Sequence, residues 1–325
     1  MSGRAVLARV LRSGVEESVH LGHVAVCDAD GKLLSSGGDP DRVVFARSSL
    51  KPLQASVSLD LIGEDLPDDE VAVMCGSHNG EPVHVRAVRS ILARGDMHDD
   101  VLQCPAAWPL HPEDARAFER PQPILHNCSG KHAGMLLASV RAGLALDRYL
   151  DPDHPVQRAV ADALVRFAGE EPEAVGVDGC GAPAPAVPLR AMATLFARLA
   201  APASPDALGA QVGRAASAMR ASPYLVAGRD RADTVLMQHV AGIVVKSGAE
   251  GLACAGVLND GIGVAVRVDD GAGRAAGPAL VRALQLLRVV DENPEDPIRR
   301  IARPDVTGGG RPVGALTSDF VLKSA

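Results

Sequence analysis

The chain has 325 residues, is 47% apolar and carries a formal net charge of −7. That supports a large core and either one large domain or two medium ones, and an acidic balance without any run of Lys or Arg argues against a nucleic-acid footprint. No stretch approaches the ~18 uninterrupted apolar residues of a membrane span, and the N-terminal segment, broken by Arg9 and Arg12, lacks the apolar run of an export signal. The expectation is therefore a soluble, cytoplasmic protein, with six cysteines at 27, 75, 104, 128, 180 and 254, none in a C-x-x-C pair, and no disulfides.

In chain order, residues 4–12 and 17–27 read as strands, with a turn at Asp28-Ala29-Asp30-Gly31 and a further strand near 32–36. A short apolar strand at 43–46 leads into a helix over 52–62. The segment 70–75 reads as buried and ends at Gly76. Helical periodicity then covers 81–94, 131–145, 154–168, 186–200, 206–220 and 231–240. Strand character returns at 243–247, 252–258 and 261–268, and a last helix covers about 277–290. The Pro-rich stretches 105–123 and 183–188 read as loops or helix starts, and Gly308-Gly309-Gly310 as a loop. Strands at both ends with helices between them predict an α/β fold. One sheet would come from about 1–50 and 241–290, with a helical region at about 51–240, in a single catalytic unit spanning 1–325.

Only five of the 33 basic residues are lysines, namely Lys32, Lys51, Lys131, Lys246 and Lys323. Where a plain cation suffices this chain uses Arg; a lysine kept inside a motif offers an amine that can lose its proton. Ser48-Ser49-Leu50-Lys51 is the single Ser-x-x-Lys of the chain. At a helix start residues i and i+3 share a face, so a desolvated Lys51 amine could take the Ser48 proton. Pro52 disturbs the preceding backbone unless it sits at the start of the helix itself. Ser77-His78-Asn79 follows Gly76, and Lys246-Ser247-Gly248 ends an apolar strand. Their order and type match the Ser-x-x-Lys, Ser-x-Asn and Lys-Thr-Gly elements of penicillin-recognising serine hydrolases. A second cluster, His126-Asn127-Cys128-Ser129-Gly130-Lys131-His132, opens an apolar helix, and Asp178-Gly179-Cys180-Gly181 lies on a Gly-rich turn. Two thiolates and a nitrogen would suit zinc; two buried thiols without a metal account for the same residues.

Taken together, Arg47–Ala55, Ser77–Glu81, His126–Met135, Asp178–Gly181 and Lys246–Gly251 resemble the Rhizobium-type (class 3) L-asparaginase family over about residues 4–290. The resemblance implies a fold similar to the serine β-lactamases and glutaminases, hydrolysis of L-asparagine to L-aspartate and ammonia, and a homodimer; charge and hydropathy give no nucleic-acid or membrane partner. It also implies two Ser–Lys tandems, Ser48–Lys51 and Ser77–Lys246, and zinc on Cys128, Lys131 and Cys180 with water completing the shell. Arg47, His132 and Asp178 fall at positions expected near the substrate. The segment Met219–Asp233 is similar to the family only loosely, with Ser222-Pro223-Tyr224 where a His-Pro pair is usual. The alternatives are a glutaminase or β-lactam-type hydrolase, and a non-catalytic zinc-binding protein of the same fold; the lack of an export signal weighs against a β-lactam hydrolase, the intact dyads against a non-catalytic protein.

Overall fold

The computed structural model describes residues 3–201, 206–258 and 260–325. Its strands are β1 (Ala5–Arg12), β2 (Val15–Asp28), β3 (Leu33–Gly37), β4 (Val43–Phe45), β5 (Ala174–Val177), β6 (Pro183–Pro188), β7 (Ile243–Ser247), β8 (Leu252–Val257), β9 (Ile262–Val268), β10 (Asp305–Gly308), β11 (Arg311–Thr317) and β12 (Lys323–Ser324). Its helices are α1 (Lys51–Ile62), α2 (Asp68–Met74), α3 (Pro82–Ala93), α4 (Pro112–Ala115), α5 (Ser129–Arg141), α6 (Pro155–Ala168), α7 (Leu189–Ala200), α8 (Ala207–Ala221), α9 (Pro223–Val226), α10 (Ala232–His239), α11 (Gly273–Leu286) and α12 (Ile298–Ala302).

The fold is α/β, as expected: N- and C-terminal strands build one antiparallel sheet, and most helices lie between them in sequence. Its order is β10-β11-β1-β2-β9-β8-β7, with β3 pairing to β2 and to β12. The sheet extends beyond the expected limit near residue 290, because the triple glycine forms the turn of the β10–β11 hairpin and β11 pairs with β1. A second, three-stranded antiparallel sheet, β4-β6-β5, joins the expected strand near 43–46 to β5 and β6, which lie within the stretch read as helical. Residues 183–188 were expected as loop or helix start because prolines rarely occupy a central strand. They are a strand because proline carbonyls still accept: Ala46 N–H donates to Pro185 O at 2.9 Å. Helix α7 accordingly starts at Leu189 rather than 186.

All six residues of β8 are buried, since α7 packs on one face of the sheet and α11 on the other. The α7 backbone comes close enough that cross-strand partners Gly256 and Gly263 cannot carry side chains. A Cβ on Gly263 would lie 1.9 Å from Ala193 O, and one on Gly256 2.3 Å from Phe196 O. Helix α1 is buried along nearly its whole length because α5, α6 and α8 surround it, and its buried Ser56 and Ser58 hydroxyls are satisfied by the helix's own Pro52 and Gln54 carbonyls. Its first residue, Lys51, is thereby carried into the interior. None of the described helices is long and apolar enough to cross a membrane.

Candidate active site

Arg47–Leu50 form a 3₁₀ turn that runs directly into α1, and Pro52 sits in the first helical turn, where its missing N–H costs nothing. Arg47 has φ +44°, a left-handed conformation that non-glycine residues hold only where the surroundings enforce it. Its guanidinium is anchored by Asp178, Nε to Oδ1 2.7 Å. Ser48, next in the chain, is half-buried, and among the described residues its hydroxyl makes no hydrogen bond.

Lys51 is completely buried. Its Nζ has three neighbours: Gly76 O at 2.5 Å, Asn127 O at 3.0 Å and Ser77 Oγ at 3.0 Å. None is a carboxylate, and burial lowers the amine's pKa, with the nearby Cys128 sulfur opposing the shift. The amine donates to all three oxygens; on losing a proton it gains a lone pair aimed at the Ser77 hydroxyl.

Lys246 is also fully buried. It lies on β7 opposite Cys254, and its backbone carbonyl accepts from Ser49 Oγ at 3.0 Å. Its Nζ donates to Asp233 Oδ2 at 3.2 Å and to Ser247 O at 2.6 Å. The pairing implied by the resemblance is therefore not the hydrogen-bond pattern of the structure. Ser77 bonds Lys51 rather than Lys246, and Lys246 bonds Asp233. At the end of this strand the backbone N–H groups are engaged: Ser247 N–H is taken by Asp233 and Gly248 N–H by Leu252 O.

The loop carrying Ser77 is held by a segment that sequence reading left without a role. Ser77 N–H and Asn79 N–H donate to Val226 O and Ala227 O, at 2.8 and 2.9 Å. Glu81 closes the clamp, accepting from Tyr224 O–H (2.5 Å), Asn79 Nδ2 (2.9 Å) and Arg229 N–H (3.0 Å). Gly228, at φ +111°, passes so near that a Cβ would lie 2.5 Å from Glu81 Oε1.

The cysteine cluster forms where the N-terminus of α5 meets the β5–β6 turn. Cys128 Sγ, Cys180 Sγ and an Asp178 carboxylate oxygen lie within 4.8 Å of one another. Lys131, buried beside them, is 3.9 Å from Asp178 Oδ2. A hydrogen bond from Cys180, with burial opposing and Lys51 assisting, lowers the Cys128 pKa well below the ordinary thiol value, while that shared proton and burial push Cys180 up. Burial would lower the Lys131 pKa, but the two cysteines and Asp178 outweigh it and raise it. Two sulfurs sharing one proton, next to a buried amine, are a donor set that a thiophilic dication fits.

His132, next along α5, is fully buried. Tyr149 O accepts from Gln103 N–H at 3.0 Å and so gives its own proton to His132 Nδ1 at 2.6 Å. That hydrogen-bond pattern assigns the Nε2–H tautomer, and burial lowers the ring's pKa to about 3, so it is neutral. Its Nε2 is buried without a partner among the described residues. Such an atom awaits an acceptor from outside the chain. The structure thus brings Lys51 to Ser77 and within electrostatic reach of Lys246, ties Arg47 to Asp178, and groups Asp178 with Cys128, Cys180 and Lys131, whereas the Ser48 hydroxyl has no hydrogen bond to any of them among the described residues. Sequence reading missed Asp233, Tyr149, Asn127 and Glu81, whose roles are to hold other side chains.

This arrangement of buried lysines, serines and a histidine whose Nε2 has no partner among the described residues belongs to a chain whose family consists of hydrolases acting on amides. A family model described as L-asparaginase II matches residues 8–318, and the chain belongs to that family. No curated protein matches it in a sequence search. Among solved structures, Mglu in its glutamate form aligns at 15% identity and a TM-score of 0.49, covering 84% of this chain and 62% of that one. This chain therefore spans less than two thirds of Mglu's length. A β-lactamase from Mycobacterium bovis aligns at 17% identity and a TM-score of 0.40, covering 83% of this chain and 95% of that one.

Proposed function

We propose that the chain is an L-asparaginase that hydrolyses the side-chain amide of L-asparagine by acyl transfer to a serine. The observation that carries this is the Lys51 amine, buried, free of any carboxylate, and bonded to two carbonyls and a serine hydroxyl, in a chain of the L-asparaginase II family. Ser48 is the nucleophile. Its side chain is only partly buried and its hydroxyl makes no hydrogen bond among the described residues, whereas Ser77 is 5% exposed and already bonded to Lys51. Ser48 Oγ attacks the amide carbon and Lys51 takes the proton. The N-terminal end of α1 favours the developing negative charge. The proton passes through Ser77 to the departing ammonia, breaking the C–N bond and leaving an ester on Ser48. Water, activated by the same Lys51–Ser77 pair, then releases aspartate. Arg47 and the His132 Nε2–H supply a cation and a donor for the substrate's polar groups.

Cys128, Lys131 and Cys180 would hold a zinc ion, with Asp178, tied to Arg47, orienting the site. When bound, zinc supplies a Lewis-acidic centre that fixes the two loops and a polar group of the substrate. The same reading makes the enzyme a cytoplasmic homodimer.

The deciding experiment is ammonia release by purified protein from asparagine and glutamine side by side. Preferential release from asparagine, lost in Ser48→Ala, is the expected result. Equal or greater turnover of glutamine would make it a glutaminase, and no turnover of either amide by folded protein would overturn the reading.

A further inference from the structure

Asp233 is 1% exposed and occupies the first turn of α10. Its carboxylate accepts from the Lys246 ammonium at 3.2 Å, from Ser247 N–H at 3.0 and 3.2 Å, and from Ser247 Oγ at 2.9 Å. Two successive residues at the end of β7 are thus held by one carboxylate, itself stabilised by the helix N-terminus. Around Lys246 lie Lys51 from α1, Arg231 before α10, Cys75 at the end of α2, Cys254 on β8 and Asp233. Both thiols are pushed up to about 12 by burial and are neutral. Asp233 is therefore the single anion in a group holding three basic side chains.

We propose, resting on the serine–lysine reading above, that Asp233 is a positioning residue which keeps Lys246 cationic and fixed toward the substrate, so that Lys246 is an electrostatic partner of the reaction rather than its base. Two ammonium groups in one water-poor site repel each other, and a carboxylate hydrogen-bonded to only one of them sets which keeps its proton. With burial and Asp233 acting against each other, the Lys246 pKa lies at about 8. Asp233 and Ser247 also line a cavity of about 390 Å³ that includes Arg231, Arg274 and Arg300, through which a small anion can reach the carboxylate position.

The test compares Asp233→Asn with the parent in a pH profile of kcat/KM for asparagine, after circular dichroism and thermal melting establish folding. Loss of the anion should move the alkaline limb down by about one pH unit or more, the scale of one close opposite charge, and so lower the rate at pH 8 by about 5-fold or more. A merely structural contact would lower the rate without moving the limb, and that outcome would overturn the proposal. Should the Asn variant not fold, Asp233→Ala with added formate replaces it. Recovery of activity with formate concentration supports the assignment; folded protein that formate does not revive refutes it. Lys51→Arg, assayed in parallel, separates the two levels. If it retains activity the serine–lysine reading fails first; if it is inactive while the Asp233→Asn limb stays in place, only the role of Asp233 fails.

Discussion

Replacing Lys51 with Arg and with Met separates its charge from its basicity. Arg keeps a cation but does not give up its proton in a protein; Met keeps neither. Losing a general base costs ~10²–10⁴-fold in rate, or ~3–5 kcal/mol of barrier, and both variants should fall in that range in kcat for ammonia release. Their stabilities should differ. Met leaves the carbonyls of Gly76 and Asn127, now bonded at 2.5 and 3.0 Å, without a donor, at ~1–3 kcal/mol each. Part of that is offset because a desolvated amine no longer has to be buried, for a net loss of ~1–4 kcal/mol in chemical denaturation. Arg retains donors for both carbonyls but adds volume to a site with no exposure, so its loss comes from overpacking, ~1–3 kcal/mol. If either variant is folded and keeps more than about a tenth of the parental kcat, a barrier change under ~1.4 kcal/mol, Lys51 is not the base.

Ser48→Ala should lower kcat at least ~10³-fold, ~4 kcal/mol, with the melting temperature unchanged, and mass spectrometry of a trapped ester should locate it on Ser48; an ester on Ser77 would exchange the roles of the two serines. Cys128→Ser and Cys180→Ser should each lose the zinc that elemental analysis finds in the parent at one per chain, and raise KM more than they lower kcat; zinc-free parent with full activity would refute the site. Lys246 binds a proton in the unfolded chain up to its ordinary 10.5 but in the folded protein only up to about 8. The unfolded state thus holds the extra proton between these values, and stability should rise with pH across that window by about 3 kcal/mol. Lys246→Met should flatten this rise in denaturant melts, and an unaltered slope would refute the assignment. Gly263→Ala should destabilise by ~1–3 kcal/mol or more, because its Cβ would meet Ala193 O at 1.9 Å.

The parts of the fold that were legible in the sequence are those where side-chain periodicity and burial agree. The strands at 243–247 and 252–257 and the helices over 155–168 and 207–221 follow their apolar patterns closely. The second sheet was not legible because Pro183, Pro185 and Pro188 advertise a break, and only the tertiary pairing with β4 and β5 shows that their carbonyls carry the ladder. Strands β10 and β12 are short and carry no buried residue, and β11 includes Pro312 and Gly314 and buries only two of its seven residues, so their pattern was too weak to read. In the site, residue types with intrinsic reactivity were visible at once: Ser48, Lys51, Ser77, Cys128, Cys180, Lys246. Which amine serves which hydroxyl was not, since i and i+3 spacing suggested Ser48 for Lys51 while packing gives Lys51 to Ser77. Asp233 and Tyr149 carry no local mark, because a supporting residue is defined by what lies across from it in space.

The hydrogen bond from Ser49 to Lys246 joins residues 197 positions apart, and the Arg47–Asp178 pair spans 131. Catalytic competence therefore depends on closing very long chain loops, each with its own entropic cost, and folds with such distant contacts assemble slowly. Refolding followed by ellipticity should thus run ahead of refolding followed by ammonia production, and the delay between the two signals measures the time β7 takes to dock.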